Sequence, residues 1–428
     1  MNFYKSVAFC LGLCLLHVQA SAYTQNTLQI SKPVDTLEQI YETQPIADNV
    51  WSGLTSEFVN TYEAGNYAQA SALAKQAYDI ALSNFGAQHV NTADSMLKLG
   101  IINETLGDYD VAKQYMNGAM DILVEELGPN HEDVAIVLTN LANLYFEQNL
   151  PEQSELYHKK ALDIRKRTLG ENDPAVAQSM YNLAVLYDDL TKYEQAAELY
   201  EQALKIWNAN YGAVHPYIAN ALNNLANVYM VMERYEDAIE LHKHSLAVRR
   251  SLYGDNHAEV ARALINLGAL YVKQSAYGKA EPLYVEAVHV AENLFGPKHP
   301  QVAMLLYSLA NIYHIQGRMA KAESQHVDSK TEDSAPQPAI AQPVAASKVA
   351  VSNVSVNIPT QTKLEKSAQI KFKKAVPLYE RALKILDTSM GSQHPAVTAM
   401  INELAMLYKS IGDTTNAKKM QARLSSIH

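Results

Sequence analysis

Residues 211–254 read YGAVHPYIANALNNLANVYMVMERYEDAIELHKHSLAVRRSLYG, and near-copies of this stretch follow one another along the chain. Each copy contains a glycine that follows a large or aromatic apolar residue, and these glycines recur at a constant interval of 42 residues. They are Gly86, Gly128, Gly170, Gly212, Gly254 and Gly296. A fixed interval of roughly 20–50 residues is typical of a stacked repeat array. The sequence therefore predicts an array built by repetition of one small unit.

Each copy has the pattern of two helices joined by a short polar turn, which is 233–235 in the quoted copy. Apolar residues recur at helical spacing in its first half, at Ala219, Leu222, Leu225, Ala226 and Tyr229. They do so again in its second half, at Ala238, Leu241, Leu246 and Val248. The closing glycine suits a left-handed C-cap, because a residue without Cβ adopts that conformation without steric penalty. A single hairpin cannot bury its apolar face, so stacked hairpins are expected to share a continuous core in an all-α fold.

Small and aromatic residues at fixed places in each copy resemble those of tetratricopeptide repeats. The first helix contains a Leu-Ala…Tyr pattern, as in Leu183-Ala184…Tyr187 and Leu225-Ala226…Tyr229, and small residues stand at Ala196, Ala203, Ala238, Ala280 and Ala287. The 42-residue interval and the Leu-Gly…His-Pro linker are similar to those of the kinesin-light-chain-like subfamily. The resemblance covers roughly 48–323 and 375–428 and implies a right-handed superhelical solenoid of antiparallel helical hairpins.

The beginning of the chain has the pattern of an export signal, 1–22. Lys5 is followed by an apolar segment, 7–16, and by the small residues Ala20-Ser21-Ala22, which suit a cleavage site. An uncleaved anchor is the alternative, but this apolar run is short for a membrane span. Both cysteines lie inside the signal, so the mature chain would have none. The sequence predicts an exported protein, periplasmic or extracellular, with no other stable membrane span.

The rest of the chain divides into four segments. We interpret 23–47 as a flexible leader with one short helix near 35–42, and 48–323 as about six and a half hairpins. An insertion of 53 residues then interrupts the seventh hairpin. The first part of the insertion is rich in Ala, Pro, Gln, Ser and Val, which predicts disorder, and its second part is rich in Lys and could be helical. Insertions in repeat arrays usually form loops on one face, so 324–374 is either a docking segment or a loop without a role. Segment 375–428 completes the array with a capping hairpin.

Histidines recur three residues after most of the repeat glycines, at His89, His131, His215, His257, His299 and His394. Asp173 occupies the same slot, and His215 and Asp173 both precede proline. A slot that accepts His or Asp before a helix suits an N-cap better than a metal site, whose ligands must converge on one point. No phosphate loop, nucleophile elbow or HExxH motif is present in the sequence. We therefore predict no catalytic residue, no metal and no cofactor.

Asparagines recur at two positions of the first helices, three residues apart and hence on one helical face. The first position contains Asn140, Asn182, Asn224 and Asn266, and the second contains Asn143, Asn227 and Asn311. The resemblance implies that first helices line a concave groove in which the Asn of Leu-Asn-Asn-Leu-Ala, 222–226, contacts a peptide backbone. An amide both donates and accepts, so it can pair with any peptide group. The alternative is that these amides bond only to neighbouring helices within the solenoid.

Tyr181, Asn223, Arg262 and Tyr307 are expected to face the same groove. Its charge is mixed, because Glu147 and Asp189 lie near one end and Lys98 and Arg262 lie elsewhere. We therefore predict a non-catalytic scaffold or adaptor that binds a protein or extended peptide segment. The acidic chain, with net charge −10 and pI near 5.8, disfavours a nucleic-acid partner, which would need a basic face. The alternatives are an assembly factor of an envelope complex, acting through the convex surface or the insertion, and a hydrolase with an unrecognised site.

Overall fold

The computed structural model describes residues 45–332 and 361–427. The predicted export signal 1–22, the leader as far as residue 44 with its helix near 35–42, and the segment 333–360 lie outside the described residues. Within the described ranges the chain forms sixteen helices and no strand. In chain order they are α1 (Pro45–Glu63), α2 (Tyr67–Phe85), α3 (Val90–Leu106), α4 (Tyr109–Leu127), α5 (Glu132–Glu147), α6 (Pro151–Leu169), α7 (Pro174–Asp189), α8 (Tyr193–Tyr211), α9 (Pro216–Val231), α10 (Tyr235–Tyr253), α11 (Ala258–Lys273), α12 (Tyr277–Phe295), α13 (Pro300–Glu332), α14 (Gln361–Met390), α15 (Pro395–Ser410) and α16 (Thr414–Ile427).

The helices pair into hairpins in tandem, α1 with α2 and so on to α15 with α16, which confirms the predicted all-α repeat fold. Each hairpin from the first to the sixth turns through a residue with positive φ. These turn residues also recur every 42 residues, at Gly65, Gly107, Asn149, Thr191, Glu233 and Ser275. Positive φ is uncommon for residues other than glycine, yet four of these six turn residues are not glycine.

The described residues form two compact units, unit 1 with the residues up to Val248 and unit 2 with those from Arg249 onward. The core of unit 1 is a run of buried aliphatic side chains from successive hairpins, such as Leu97, Leu141 and Ile164. Unit 2 has its own buried residues, including Leu264, Tyr284 and Phe372. In both units alanines such as Ala112 and Ala280 are fully buried, because small residues allow the two helices of a hairpin to approach closely.

The periodic histidines are N-caps, as predicted. In each case the imidazole Nδ1 accepts a hydrogen bond from the backbone N–H two residues later, at 3.1 Å for His89 and 3.3 Å for His215. Asp173 makes the same bond through Oδ1, at 2.8 Å to the N–H of Ala175. The structure adds a contact that the sequence interpretation missed, since the aromatic residue before the repeat glycine stacks on the histidine ring. The ring centroids of Tyr211 and His215 are 4.3 Å apart.

The seventh hairpin differs from the others and from the predicted boundaries at 323 and 375. The next turn in the series would fall at Gly317, but α13 continues through it to Glu332, and α14 already begins at Gln361. Residues predicted to be disordered immediately after 324 are therefore helical as far as 332. The Lys-rich part of the insertion is helical too, and α14 runs on past Pro377. Both helices of this hairpin are thus prolonged beyond the length of the regular repeat.

The prolonged parts of α13 and α14 are packed against each other. Phe372 is fully buried, and its ring lies so close to Gly317 that a Cβ on this glycine would be 2.5 Å from Phe372 Cε1. Leu364 and Ala368 continue the buried face of α14. On its flank, Lys371 Nζ lies 2.7 Å from Glu281 Oε2 of α12. These contacts stabilise helix where a regular repeat would turn.

Candidate functional site

The first helices α5, α7 and α9 of unit 1 present the predicted asparagines in two rows. The first ladder row is defined as Asn140, Asn182 and Asn224, and the second ladder row as Asn143, Val185 and Asn227. Each row has one residue per helix, and the two rows are three residues apart, which places them on one face of each helix. The two rows differ in what their side chains contact.

The first ladder row is bonded within the protein. Asn140 Nδ2 donates to the carbonyl of Ile136 at 3.0 Å, one turn earlier in α5. Asn182 Oδ1 accepts from Gln178 Nε2 at 2.9 Å in the same way on α7. The amides of this row therefore have hydrogen-bonding partners before any ligand arrives.

Asn224 connects two repeats. Its Nδ2 donates to the hydroxyl of Tyr181 at 3.0 Å, and Asn223 Nδ2 lies 3.3 Å from Asn224 Oδ1. Tyr181 is buried, with its ring centroid 5.6 Å from that of Trp207. Asn224 thus forms a hydrogen bond with a neighbouring helix of the solenoid, which is the alternative to peptide binding that the sequence left open.

The second ladder row is different, because Asn143 and Asn227 make no hydrogen bond to any residue in the described part of the chain. Both side chains are half-buried, on α5 and α9, and Val185 stands between them on α7, also half-buried. An unbonded amide beside an apolar side chain can form hydrogen bonds with a partner without first breaking internal ones. Asn143 and Asn227 are the predicted site residues of unit 1 best suited to bind another chain.

The predicted site residues of unit 2 lie in internal contacts. Asn311 accepts a hydrogen bond from the buried Tyr379 hydroxyl, and the Tyr307 ring meets the Tyr379 ring edge-on at 5.7 Å between centroids. Arg262 is ion-paired with Glu259 on α11. Asn266, also on α11, is half-buried and has interactions of its own within the protein.

Three carboxylates follow the ladder rows at the ends of α5 and α7, namely Glu147, Asp188 and Asp189. Burial, reinforced by the charge of Asp189, raises the pKa of Asp188 to about 7. Burial, reinforced by the charge of Glu147, raises the pKa of Asp189 to about 6. The sequence interpretation noted Glu147 and Asp189 but missed Asp188, although adjacent aspartates at a helix end were a visible signal.

Lys98, one of the basic residues predicted for the groove, does not neutralise the charge of these carboxylates. Lys98 is buried and its ammonium bonds Asp94 one turn earlier in α3, with Nζ 2.5 Å from Oδ1. Lys192 follows α7 closely in sequence, but its Nζ lies 2.8 Å from Glu155 Oε2 and 5.0 Å from the centroid of the Tyr187 ring. The surface formed by the second ladder row and the three carboxylates, called the acidic ladder face below, thus has a net negative charge.

In the ranges 45–332 and 361–427, no three His, Cys, Asp or Glu side chains are grouped so that they could hold a metal ion. Among the helices that the structure describes, none combines the length and apolarity that a membrane crossing requires.

Comparison with known proteins identifies the repeat. Two family models, both described as tetratricopeptide repeat, match the chain, one at 59–123, 105–167, 152–209, 217–293 and 274–329 and the other at 181–251. No curated protein matches the chain in sequence.

Several solved structures are similar to the chain at low sequence identity. BtubC (BKLC) from P. vanneervenii is 18% identical with a TM-score of 0.45, and the match covers 72% of this chain and 100% of that one. Nearly identical kinesin-light-chain-type TPR-like repeats from Podosopora anserina are 19% identical with a TM-score of 0.44, over 48% of this chain and 98% of that one. A Rap protein complexed with Competence and Sporulation Factor is 14% identical with a TM-score of 0.42, over 89% of this chain and 98% of that one.

The 42-residue interval, the paired helices, the capped linkers and the matching family models over most of the chain lead to one conclusion: the chain belongs to the tetratricopeptide repeat family.

Proposed function

We propose that this protein is a non-catalytic scaffold or adaptor that binds an extended peptide segment of a partner protein on the acidic ladder face. The observation that carries the proposal is the pair of unbonded amides, Asn143 and Asn227. Tetratricopeptide repeat proteins are in general protein-binding scaffolds, and the two unbonded side chains support a binding site on this part of the chain.

The binding mode follows from the chemistry of the amide. Each Asn side chain offers an N–H donor and a carbonyl acceptor, which are the groups that a peptide bond also presents. An extended segment lying across α5, α7 and α9 would pair its backbone with Asn143 and Asn227 and place an apolar side chain against Val185. Because the helices are already packed, little conformational freedom is lost on the protein side when the segment binds.

The experiment is selection of binders from a random 12-residue peptide library on the full-length chain, followed by affinity measurement with fluorescent peptides. Each net hydrogen bond contributes on the order of 1 kcal/mol. The double substitution N143A/N227A should therefore weaken binding by at least about tenfold. Asn208 is an exposed asparagine on the second helix α8, so N208A is the matched control and should bind like the wild type.

Thermal unfolding of the same variants separates binding from folding. The double variant should unfold at the wild-type temperature, because neither amide makes an internal hydrogen bond. Unchanged peptide affinity in a folded N143A/N227A variant would contradict the proposal.

One observation favours a second candidate, assembly through the prolonged hairpin. Ile370 on α14 is 56% exposed, and the exposed Lys363, Lys366 and Lys373 lie on the same helical stripe. If a partner's binding depends on these residues and is unaffected by N143A/N227A, the prolonged hairpin and not the acidic ladder face is the docking surface.

A further inference from the structure

We propose that the segment bound on the acidic ladder face contains a lysine or arginine, whose side chain pairs with Glu147, Asp188 and Asp189 while the peptide backbone meets Asn143 and Asn227. This inference rests on the proposed function and adds to it the chemical class of the partner.

The carboxylates lie one helical turn beyond the second ladder row. Glu147 follows Asn143 by four residues on α5, and Asp189 follows Val185 by four residues on α7. Side chains four residues apart are neighbours on the surface of a helix. On α9 the corresponding residue is Val231, which is exposed and apolar. A peptide held by the amides would therefore pass acidic groups on α5 and α7 and an apolar group on α9.

No cation of the protein pairs with these three carboxylates among the residues that the structure describes. Glu155 is a half-buried carboxylate of unit 1, as Asp188 is, but it has cationic partners. It bonds both Lys159 and Lys192, at 2.6 and 2.8 Å, and its pKa is lowered to about 2. The pKa is lowered for Glu155, which has cationic partners, and raised for Asp188 and Asp189, which have none among the described residues.

The missing partner has a measurable electrostatic consequence. Burial and the charge of Asp189 raise the pKa of Asp188 to about 7, and burial and the charge of Glu147 raise that of Asp189 to about 6, so the charged form of both is disfavoured. The charge of Glu147 on α5 acts on Asp189, while Lys192, the basic residue that follows α7, is paired with Glu155. An incoming ammonium or guanidinium group would favour the charged forms of Asp188 and Asp189 and lower their pKa values.

Two other ligand classes fit the surface less well. An acidic peptide would need a free cation, but Lys98 is buried against Asp94. A metal ion would need converging ligands, and no such group of three exists among the described side chains. Charge complementarity therefore selects a basic segment.

The test uses the library selection described above, with the sequences of the selected peptides as readout. Wild-type protein should enrich peptides containing Lys or Arg, and D188N/D189N should lose this enrichment and bind the wild-type peptides at least about tenfold more weakly. Glu125 and Glu126 are exposed carboxylates on the second helix α4, so E125Q/E126Q changes the net charge equally and should keep the enrichment. D188N/D189N should not unfold, because it removes repulsion and breaks no bond.

A pH titration provides a second readout. When pH falls from 7.5 to 5.5, the free carboxylates take up protons that the bound cation would exclude, so affinity for a Lys-containing peptide should fall. In D188N/D189N this part of the pH dependence should disappear.

The outcomes distinguish this inference from the function on which it rests. Selected peptides that depend on Asn143 and Asn227 but contain no excess of Lys or Arg would overturn the basic partner and leave the peptide scaffold intact. Peptides that ignore the two asparagines would overturn both. Mg²⁺ or Ca²⁺ binding that depends on Asp188 and Asp189, without enrichment of basic peptides, would replace the peptide cation with a metal ion and overturn the inference.

Discussion

At the scale of single residues, one slot explains how the repeats are joined. The N-cap position accepts histidine or aspartate because either side chain can accept a hydrogen bond from the second N–H of the next helix. Histidine adds a second contact where the preceding repeat ends in an aromatic residue, as the Tyr211 ring stacks on that of His215. It also occupies the slot after the aliphatic Leu127, where no such stacking is possible.

The cap leads to the first prediction. His215→Ala should destabilise the protein by about 1 kcal/mol, the usual contribution of an N-cap side chain. His215→Asp should recover most of this loss, because Asp173 makes the same bond in a neighbouring repeat. The measurement is urea unfolding of the three proteins at pH 7.5. Equal destabilisation by Ala and Asp would mean that the ring stacking on Tyr211, and not the hydrogen bond, carries the contribution.

His158 gives a second prediction, on the dependence of stability on pH. It is fully buried in α6, and burial, together with the charge of Arg165, lowers its pKa from 6.5 to about 4. The unfolded chain therefore binds a proton below pH 6.5 that the folded chain rejects until about pH 4. This residue should reduce the free energy of unfolding by about 2 kcal/mol between pH 7 and pH 5.

The matched variant comes from the protein itself, since the buried Met116 occupies the equivalent place in α4. His158→Met should remove this part of the pH dependence while other groups keep theirs. The check is urea unfolding of both proteins at pH 7 and pH 5. The same loss of stability in both would show that His158 does not carry the effect.

At the scale of elements, the prolonged hairpin shows how helix packing overrides a turn signal. Gly317 lies at the turn position of the series, where Ser275 and Glu233 adopt positive φ, yet it is helical. Its lack of a side chain serves a different purpose, the close approach of Phe372. The residues after it, 319–323, read MAKAE and are good helix formers, so the helix continues once α14 provides a partner.

Substitution of this glycine gives the third prediction. Gly317→Ala should destabilise the protein by about 1–2 kcal/mol, because the new Cβ would collide with the Phe372 ring and the clash outweighs the gain in helix propensity. Gly278 is the matched control, since it lies in α12 and a Cβ added to it would meet, within 4 Å, no atom beyond its chain neighbours and its own helix backbone. Gly278→Ala should be neutral or stabilising. Thermal melts of the two variants test this, and equal effects would contradict the packing argument.

The repeat glycines, the helical apolar pattern and the capping slots were sufficient to predict the hairpins from the sequence, because each is a local signal that recurs. The role of the asparagines was not predictable in this way. Asn224 and Asn227 look alike in sequence, but only Asn224 has the Tyr181 hydroxyl within reach. Whether an amide is free depends on which side chains of neighbouring repeats surround it. The close packing at Gly317 also involves a residue distant in sequence, Phe372.

At the scale of the whole molecule, a repeat array can be divided more readily than a single core, because each hairpin contacts mainly its neighbours. The acidic ladder face lies on α5, α7 and α9, all within unit 1, and two further hairpins precede it. Fragment 45–254 contains α1 to α10 and ends at a repeat glycine. We expect it to fold and to bind the same peptides as the full chain.

One residue limits where the chain can be cut. Arg249 is buried and its Nε lies 3.0 Å from Glu259 Oε2, which the fragment lacks, and an unpaired buried charge is strongly destabilising. The fragment should therefore include Arg249→Leu, because the buried Leu123 stands at the equivalent place in α4. With this substitution its helical circular dichroism per residue should match that of the array, and its peptide affinity should lie within about threefold of the full chain, which is less than 1 kcal/mol. A helical fragment that has lost the peptides would contradict the assignment of the binding surface to unit 1 and restore Asn266 and Asn311 as candidates.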